Sequence, residues 1–383
     1  MRVLVVGAGI SGLAAARGLI AAGHEVTVLE QAPGLRLGGG AVTLWCNGTA
    51  ILDGLGVGLE GEGQRLATLS LRTAGGRRVL EVDLEALAER FGSAARVIPR
   101  GSLITLLDGG LPAGTVRFGE QVADLRTDAG GVRVRTRAGR EYGGDFLVGA
   151  DGVHSRVRAL LLGGGPAPLT GAATCQGLTP APFDPGPVTT LMIGRRGDFG
   201  FMGAGDGLMQ WFFDVPWPPG APPWGRPLEM LRRRFAGWGP PVGRLLASLE
   251  DGDVEVFPHT RHKVPSRWGV GRCALLGDAA HGMPPVTAQG TNQALEDVAA
   301  LVDRLNTVSD PAAVVGAYSA ARRRRAALAS AVASHSLAVS GPRTLLQSEH
   351  LMRVNGAVPP RLATRGFGRL LHALSGRTPA ARG

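Results

Sequence analysis

Cysteine is scarce in this 383-residue chain: Cys46, Cys175 and Cys273 are widely spaced, odd in number and free of any C-x-x-C pair. Neither a disulfide framework nor a cysteine-based zinc site is expected. Lysine is scarcer still, with Lys263 the sole example among 41 basic residues. No apolar run reaches bilayer length, and no basic segment followed by an apolar stretch and a cleavage site precedes the first strand. The chain therefore reads as cytoplasmic, without membrane insertion. It has no repeat of solenoid period and no G-x-S-x-G elbow to support nucleophilic hydrolysis. His259 and His262 form an H-x-x-H pair on an expected strand, but no set of carboxylates or cysteines accompanies them, so no metal centre is expected.

Acidic residues are also outnumbered, 31 against 41, for a net charge of +10. A positive balance of this size raises the question of a nucleic-acid partner. The basic residues are scattered, however, and the one dense run, the arginines at 322–325, falls in an alanine-rich helical stretch. That run reads as a solvated helix face, and no nucleic-acid role is expected. The field can still draw in an anionic cofactor or substrate.

What the chain has is apolar content, 44%, and 60 glycines with 26 prolines spread among apolar runs without a collagen-like period. This length can bury one large core or two interlocked ones. Residues 2–6 read as a buried parallel strand, 10–22 as a helix and 26–30 as a second strand, a βαβ unit. Residues 115–150 hold alternating segments, 132–136 and 145–148, separated by glycine turns, which suggests antiparallel strands returning to the sheet. From 171 to 249 the composition shifts to Trp, Phe, Pro and Gly, with strand-like pieces at 189–193 and 209–215. Residues 272–276 then form another short apolar strand, followed by a glycine turn and a helix over 290–305. Beyond Pro311 the pattern is helical, with breaks at Gly341-Pro342 and near Pro359-Pro360.

Three motifs carry chemistry. In Gly7-Ala8-Gly9-Ile10-Ser11-Gly12, Gly7 permits a tight turn, Gly9 lets backbone approach a pyrophosphate, and Gly12 allows close helix–strand packing. The helix start beside Ser11 supplies N–H groups and positive potential. Glu30, ending the next strand, is suited to ribose hydroxyls. The second motif is Asp151-Gly152, closing the apolar strand 145–150. The third is Gly277-Asp278, followed by Pro284-Pro285 and by Gly290-Thr291-Asn292 at a new helix start. There a carboxylate suits ribityl hydroxyls, and the helix N-terminus can stabilise negative charge on a reduced isoalloxazine.

In this order and spacing the motifs resemble, over residues 1–325, the p-hydroxybenzoate hydroxylase-like group A flavoprotein monooxygenases. The resemblance implies an α/β fold: a Rossmann-like FAD-binding domain, an interleaved β-rich substrate domain and C-terminal helices. It implies FAD, with NADPH or NADH docking transiently as reductant, since no second G-x-G-x-x-G unit is present. O2 would add at flavin C4a, and the hydroperoxide would hydroxylate an electron-rich ring. Matching by motif implies flavin contacts for Asp151, Asp278, Arg100 in Ile98-Pro99-Arg100-Gly101, and Arg36 ahead of Gly38-Gly39-Gly40. The expected division is 1–70, 97–170 and 255–325 for FAD, 71–96 and 171–254 for substrate, and 326–383 as a C-terminal helical segment.

The stretches Leu44-Trp45-Cys46, Trp211-Phe212-Phe213 and Phe235-Ala236-Gly237-Trp238 look most like bacterial urate hydroxylases and salicylate hydroxylase-like relatives. Gln210 stands where the urate enzymes carry a functional tyrosine, which argues against urate. Arg196 is a weak match to their substrate arginine. At least two of Trp211, Phe212 and Phe213 read as sheet core, because adjacent strand residues alternate faces. His281 and Pro285 are weak further candidates for the reaction site, a hydrogen-bonded loop histidine being the plainer reading of His281. The expected partners are an aromatic or heteroaromatic small molecule and O2, acting on a monomer or homodimer. The alternatives are a same-fold epoxidase, oxidase or reductase, or a flavin-binding protein without turnover.

Overall fold

The computed structural model describes residues 1–218, 220–221, 224–335 and 358–376. The expected break at Gly341-Pro342 lies outside them. The run Val3, Leu4, Val5 and Val6 is buried throughout, as a strand covered on both faces must be. It sits inside a six-stranded sheet ordered Gly269–Val270, Cys273–Leu275, Phe146–Gly149, Arg2–Val6, Glu25–Glu30, Val116–Phe118. Every pairing there is parallel except the edge pair Gly269–Val270 with Cys273–Leu275. Helices Ile10–Ala21 and Gly290–Thr307 pack on one another beside this sheet. Gly18 permits that approach, since a Cβ there would lie 3.0 Å from Val302 and 3.1 Å from Leu55. A three-stranded antiparallel sheet, Val122–Asp128, Gly131–Thr136 and Glu141–Gly144, returns the chain to Phe146–Gly149.

The Trp- and Phe-rich stretch builds a seven-stranded sheet ordered Glu255–Thr260, Leu169–Pro180, Leu208–Pro216, Gly197–Gly205, Val188–Gly194, Thr68–Thr73, Arg78–Asp83. Along Leu208–Pro216 the side chains alternate. Met209, Trp211, Phe213 and Val215 are buried in a core shared with Leu228, Leu231, Val242 and Leu245 of two short helices. Phe212 packs with a different cluster on the opposite face. Two of the three consecutive aromatics are thus sheet core.

Strand pairing cuts across two expected boundaries, and a helix across a third. Glu255–Thr260 pairs antiparallel with Leu169–Pro180, so this strand belongs with the sheet of residues 171–254 and not with 255–325. Thr68–Thr73 crosses the boundary at 70, because it pairs with both Val188–Gly194 and Arg78–Asp83. Helix Pro311–His335 runs unbroken through 326, and the next described helix, Pro360–Leu374, starts at the second of the two prolines. That last helix packs on residues ahead of the midpoint: Thr364 Oγ1 accepts from Asp83 N at 2.9 Å, and Phe367 meets Trp45 edge-on at 5.3 Å.

The arginine run is not one solvated face. Helical periodicity splits it: Arg323 and Arg324 are exposed, whereas Arg322 is 1% exposed. Its Nε donates to Asp297 Oδ1 at 2.8 Å, and its Nη2 to Gln293 Oε1 at 2.7 Å. Asp297 Oδ2 in turn accepts from His281 Nε2 at 2.6 Å and from Gly277 N at 3.1 Å. Burial alone raises the Asp297 carboxyl, but His281 and Arg322 outweigh it and hold its pKa below the ordinary value. Glu296, 4.0 Å from Arg322 Nη1, completes the buried cluster and accepts from Asn47 Nδ2 at 3.0 Å. Removing one member of such a cluster strands the other charges in the interior. Arg322→Met is expected to lower the unfolding free energy in urea by about 3–5 kcal/mol, and Arg323→Met by less than about 0.5 kcal/mol. Equal, small effects of the two substitutions would refute this role for Arg322.

Candidate active site

A cavity of about 770 Å³ opens where the six-stranded sheet meets the seven-stranded one. One wall comes from the carboxyl ends of parallel strands, through Val6, Leu29, Glu30, Ala150 and Asp151, which is where open α/β sheets take ligands. The facing wall comes from one face of the seven-stranded sheet, through Thr174, Gln176, Met202, Gln210, Phe212 and Asp214.

The first glycine motif turns as its residue types require. Gly7 has φ +103°, and a Cβ on it would lie 2.6 Å from Ala150 O. A Cβ on Gly12 would lie 1.9 Å from Gly7 O, so Gly12 serves packing and does not line the cavity. Gly9 lines it and has no atom within 4 Å of its Cβ position. As N-cap of helix Ile10–Ala21, Gly9 offers no side-chain hydrogen bond, which leaves the start of the helix, with Ser11, for an anion. Glu30 is fixed beside it: Oε2 accepts from Ala8 N and Oε1 from Ala32 N, both at 2.8 Å. Each carboxylate oxygen keeps a further lone pair for a ligand hydroxyl.

Arg36, Arg100, Arg137 and Arg156 all line the cavity, and none forms an ion pair among the described residues. Arg100 opens helix Arg100–Asp108 and bridges the preceding glycine loop, its Nη1 donating to Arg36 O at 2.9 Å and Gly38 O at 3.3 Å. Burial, and then the Arg36 charge, lower its pKa. Converging cations without ion-pair partners suit a polyanion such as a dinucleotide pyrophosphate.

Asp151 accepts from Ser155 Oγ at 2.5 Å and from Val157 N at 3.0 Å, capping helix Arg156–Leu162 while lining the cavity. Burial raises its pKa against those hydrogen bonds. Asp278 is exposed, but towards the cavity, and the protein packed around its other sides raises its carboxyl. A Cβ on Gly290 would lie 3.9 Å from Asp278 Oδ1, so this acid faces the start of the 18-residue helix Gly290–Thr307. Gly290, Thr291, Pro285 and Gln210 all line the cavity. Gln210 Oε1 accepts from Ala41 N at 2.5 Å and so ties the glycine loop to the sheet.

Besides Gly12, four expected site residues lie elsewhere. Asn292 is buried behind the wall, where its Oδ1 accepts from Trp45 N at 2.9 Å and its Nδ2 donates to Thr43 O and Ala288 O. Gly277 (φ +61°) packs against Ala294 and Ser11 behind the lining. His281 points away from Asp278 into the Asp297 cluster and against the Trp268 ring. Arg196 is carried outward by the turn between Val188–Gly194 and Gly197–Gly205, and its Nη1 donates to Arg234 O at 3.3 Å. Asp214, Thr174 and Gln176 were not anticipated. Alternation from Gln210 puts Phe212 and Asp214 on the cavity face, whereas the other two depend on pairing with Leu169–Pro180.

Residues 1–336 match a protein family described as FAD binding domain. The chain is 34% identical over 337 residues to an FAD-dependent urate hydroxylase of Klebsiella pneumoniae, covering 84% of this chain and 86% of that one. It is 33% identical over 336 residues to 3-amino-4-hydroxybenzoate 2-monooxygenase of Streptomyces cremeus, covering 85% and 84%. The structure of Klebsiella pneumoniae HpxO complexed with FAD and uric acid superposes with a TM-score of 0.89 at 30% identity, covering 97% of both chains.

Gly9, which faces the cavity, and Gly12, which packs behind it, give a paired test. Gly9→Val is expected to abolish flavin copurification while leaving the melting temperature of the flavin-free protein unchanged, because its side chain enters only cavity space. Gly12→Ala is expected to lower both, because its Cβ meets Gly7 O. Full flavin content in Gly9→Val would move the dinucleotide away from this turn.

Proposed function

This chain belongs to the FAD binding domain family and is an FAD-dependent monooxygenase of aromatic or heteroaromatic rings; from that premise we propose how its cavity divides the work. Bound FAD supplies the redox chemistry and the oxygen activation, with NAD(P)H as reductant. The protein's part is to hold, orient and shield.

In our reading the helix start at Gly9 and Ser11 takes the pyrophosphate, with Gly7 setting the turn and Glu30 accepting from ribose hydroxyls. Arg36 and Arg100 neutralise phosphate and ribityl oxygens. Asp278 accepts from the ribityl chain, and Asp151 serves the same cofactor from the adjoining strand end. The N-terminus of helix Gly290–Thr307, with Gly290 and Thr291 at the cavity, stabilises negative charge on the reduced ring. Met202, Phe212, Met283, Pro285 and Val286 give an apolar enclosure between the ring and the seven-stranded sheet, where a planar substrate is kept from bulk water. We assign residues 171–254, with strands Thr68–Thr73, Arg78–Asp83 and Glu255–Thr260, to the substrate-facing layer.

The observation that carries this reading is the continuity of one cavity, from a dinucleotide turn at the strand ends to the polar and apolar face of a second sheet. A cytoplasmic enzyme fits the three buried cysteines, all free. Among the described residues no helix is long and apolar enough to cross a membrane. The test is anaerobic mixing of purified protein with NADH or NADPH, with and without planar phenols and N-heteroaromatics. The expected result is a bound-flavin spectrum that one reductant bleaches, faster by about tenfold or more with a correct ring compound present. Bleaching that no ring compound accelerates, or product formed without O2 consumption, would contradict the hydroxylase assignment.

A further inference from the structure

The two walls of the cavity differ in charge. Its arginines come from the dinucleotide side, while the seven-stranded sheet contributes no basic side chain, only Thr174, Gln176, Met202, Gln210, Phe212 and Asp214. Asp214 is the single acid of that wall. It is 2% exposed, and no hydrogen bond engages its Oδ2 among the described residues, although the residue lines the cavity. Oδ2 is therefore the atom of this carboxylate left to take a donor from whatever occupies the cavity.

The neighbouring strands fix which way this group works. Thr174 stands directly across from Asp214, and its Oγ1 donates to Asp214 Oδ1 at 2.5 Å. His259 Nε2 lies 2.6 Å from the same hydroxyl oxygen, and burial lowers the His259 pKa to about 4. A hydroxyl has one proton, so with Thr174 donating to Asp214 the neutral imidazole carries its proton on Nε2 and donates to Thr174. The unpartnered His259 Nδ1 is then a bare acceptor, the cheaper of the two states to leave buried. The chain of donors runs from His259 through Thr174 to Asp214 and leaves Asp214 as an acceptor. On the other side Asp198 pairs with Asp214 across the strands, and burial followed by the Asp214 charge raises its carboxyl well above the ordinary value. Burial lifts Asp214 to about 6 against the Thr174 hydrogen bond. Cys175, the remaining titratable neighbour, is pushed up to about 12 by burial and by Asp214, and stays neutral.

From this wall we propose that Asp214 is the specificity-determining residue of the substrate end, and that the substrate presents to it an N–H or O–H donor on the ring rather than a carboxylate. The inference rests on the reading of the cavity given above. An anionic ring substituent would meet Asp214 without a compensating cation on that wall, whereas a hydroxyl, amino or ring N–H group donates to Oδ2. Gln176 and Gln210 flank the same space with amides suited to a second ring polar atom.

The experiment titrates the FAD-loaded protein with resorcinol against 3-hydroxybenzoate, and with 3-aminophenol against 3-aminobenzoate, following the flavin absorbance change on binding. The carboxylate-free member of each pair is expected to bind about tenfold tighter at about pH 8. Resorcinol, which does not titrate in this range, is expected to weaken as pH falls through about 6, and Asp214→Asn to abolish that pH dependence and cost about tenfold with flavin content unchanged. Should Asp214→Asn fail to fold, Thr174→Val gives a second arm: loss of its hydrogen bond is expected to move the pH midpoint upward. Tighter binding of the benzoates, or pH-independent resorcinol binding in the unsubstituted protein, would overturn the proposal while leaving the flavin reading intact. Absence of bound flavin would instead refute the reading it rests on.

Discussion

One buried carboxylate, Asp297, ties together the pieces on which the cavity depends. It sits on helix Gly290–Thr307, whose start lines the cavity, and it accepts from Gly277 N immediately before Asp278. The same group receives Arg322 from the following helix and His281 from the turn. Two segments, 277–281 and 311–335, are thereby locked to the helix whose start lines the cavity. Such a cluster is retained at a cost in desolvation that only full pairing offsets. Here the hydrogen bond from Gly277 N anchors the backbone immediately ahead of Asp278, which faces the cavity.

The cavity then works through an asymmetry of charge. On the dinucleotide side, arginines without acidic partners surround a helix start and a glycine turn, a combination that favours phosphates. On the sheet side the polar groups are an acid, a hydroxyl and two amides, set among Met and Phe side chains. The proposed reading has a polyanionic cofactor and an aromatic substrate sorted to opposite walls of one cavity by electrostatics and apolar surface together.

The glycine turn and helix start at one end of the cavity were legible in the sequence because their demands are local. A positive φ at Gly7 and a contact of 1.9 Å at Gly12 leave only glycine possible, and both positions lie within six residues of one another in a strand–turn–helix context. The sheet half was less legible because cross-strand register is not local. Thr174 reaches Asp214 from 40 positions away, and nothing in the Leu169–Pro180 segment marks that encounter. Sequence adjacency also misled: His281 is three residues past Asp278 but turns into the interior, and Asn292 follows Thr291 but braces the wall from behind. Arg322 was hidden within a run of identical residues, where only the helical period and a buried acidic partner distinguish the inward position.

The most direct test of this account is a crystal structure of the protein with FAD bound. The account predicts the pyrophosphate at the start of helix Ile10–Ala21 beside Gly9, and the isoalloxazine between the Gly290 helix start and the wall that carries Gln210 and Phe212. A flavin bound in the opposite sense, with its ring among Arg137 and Arg156, or bound outside this cavity, would contradict it.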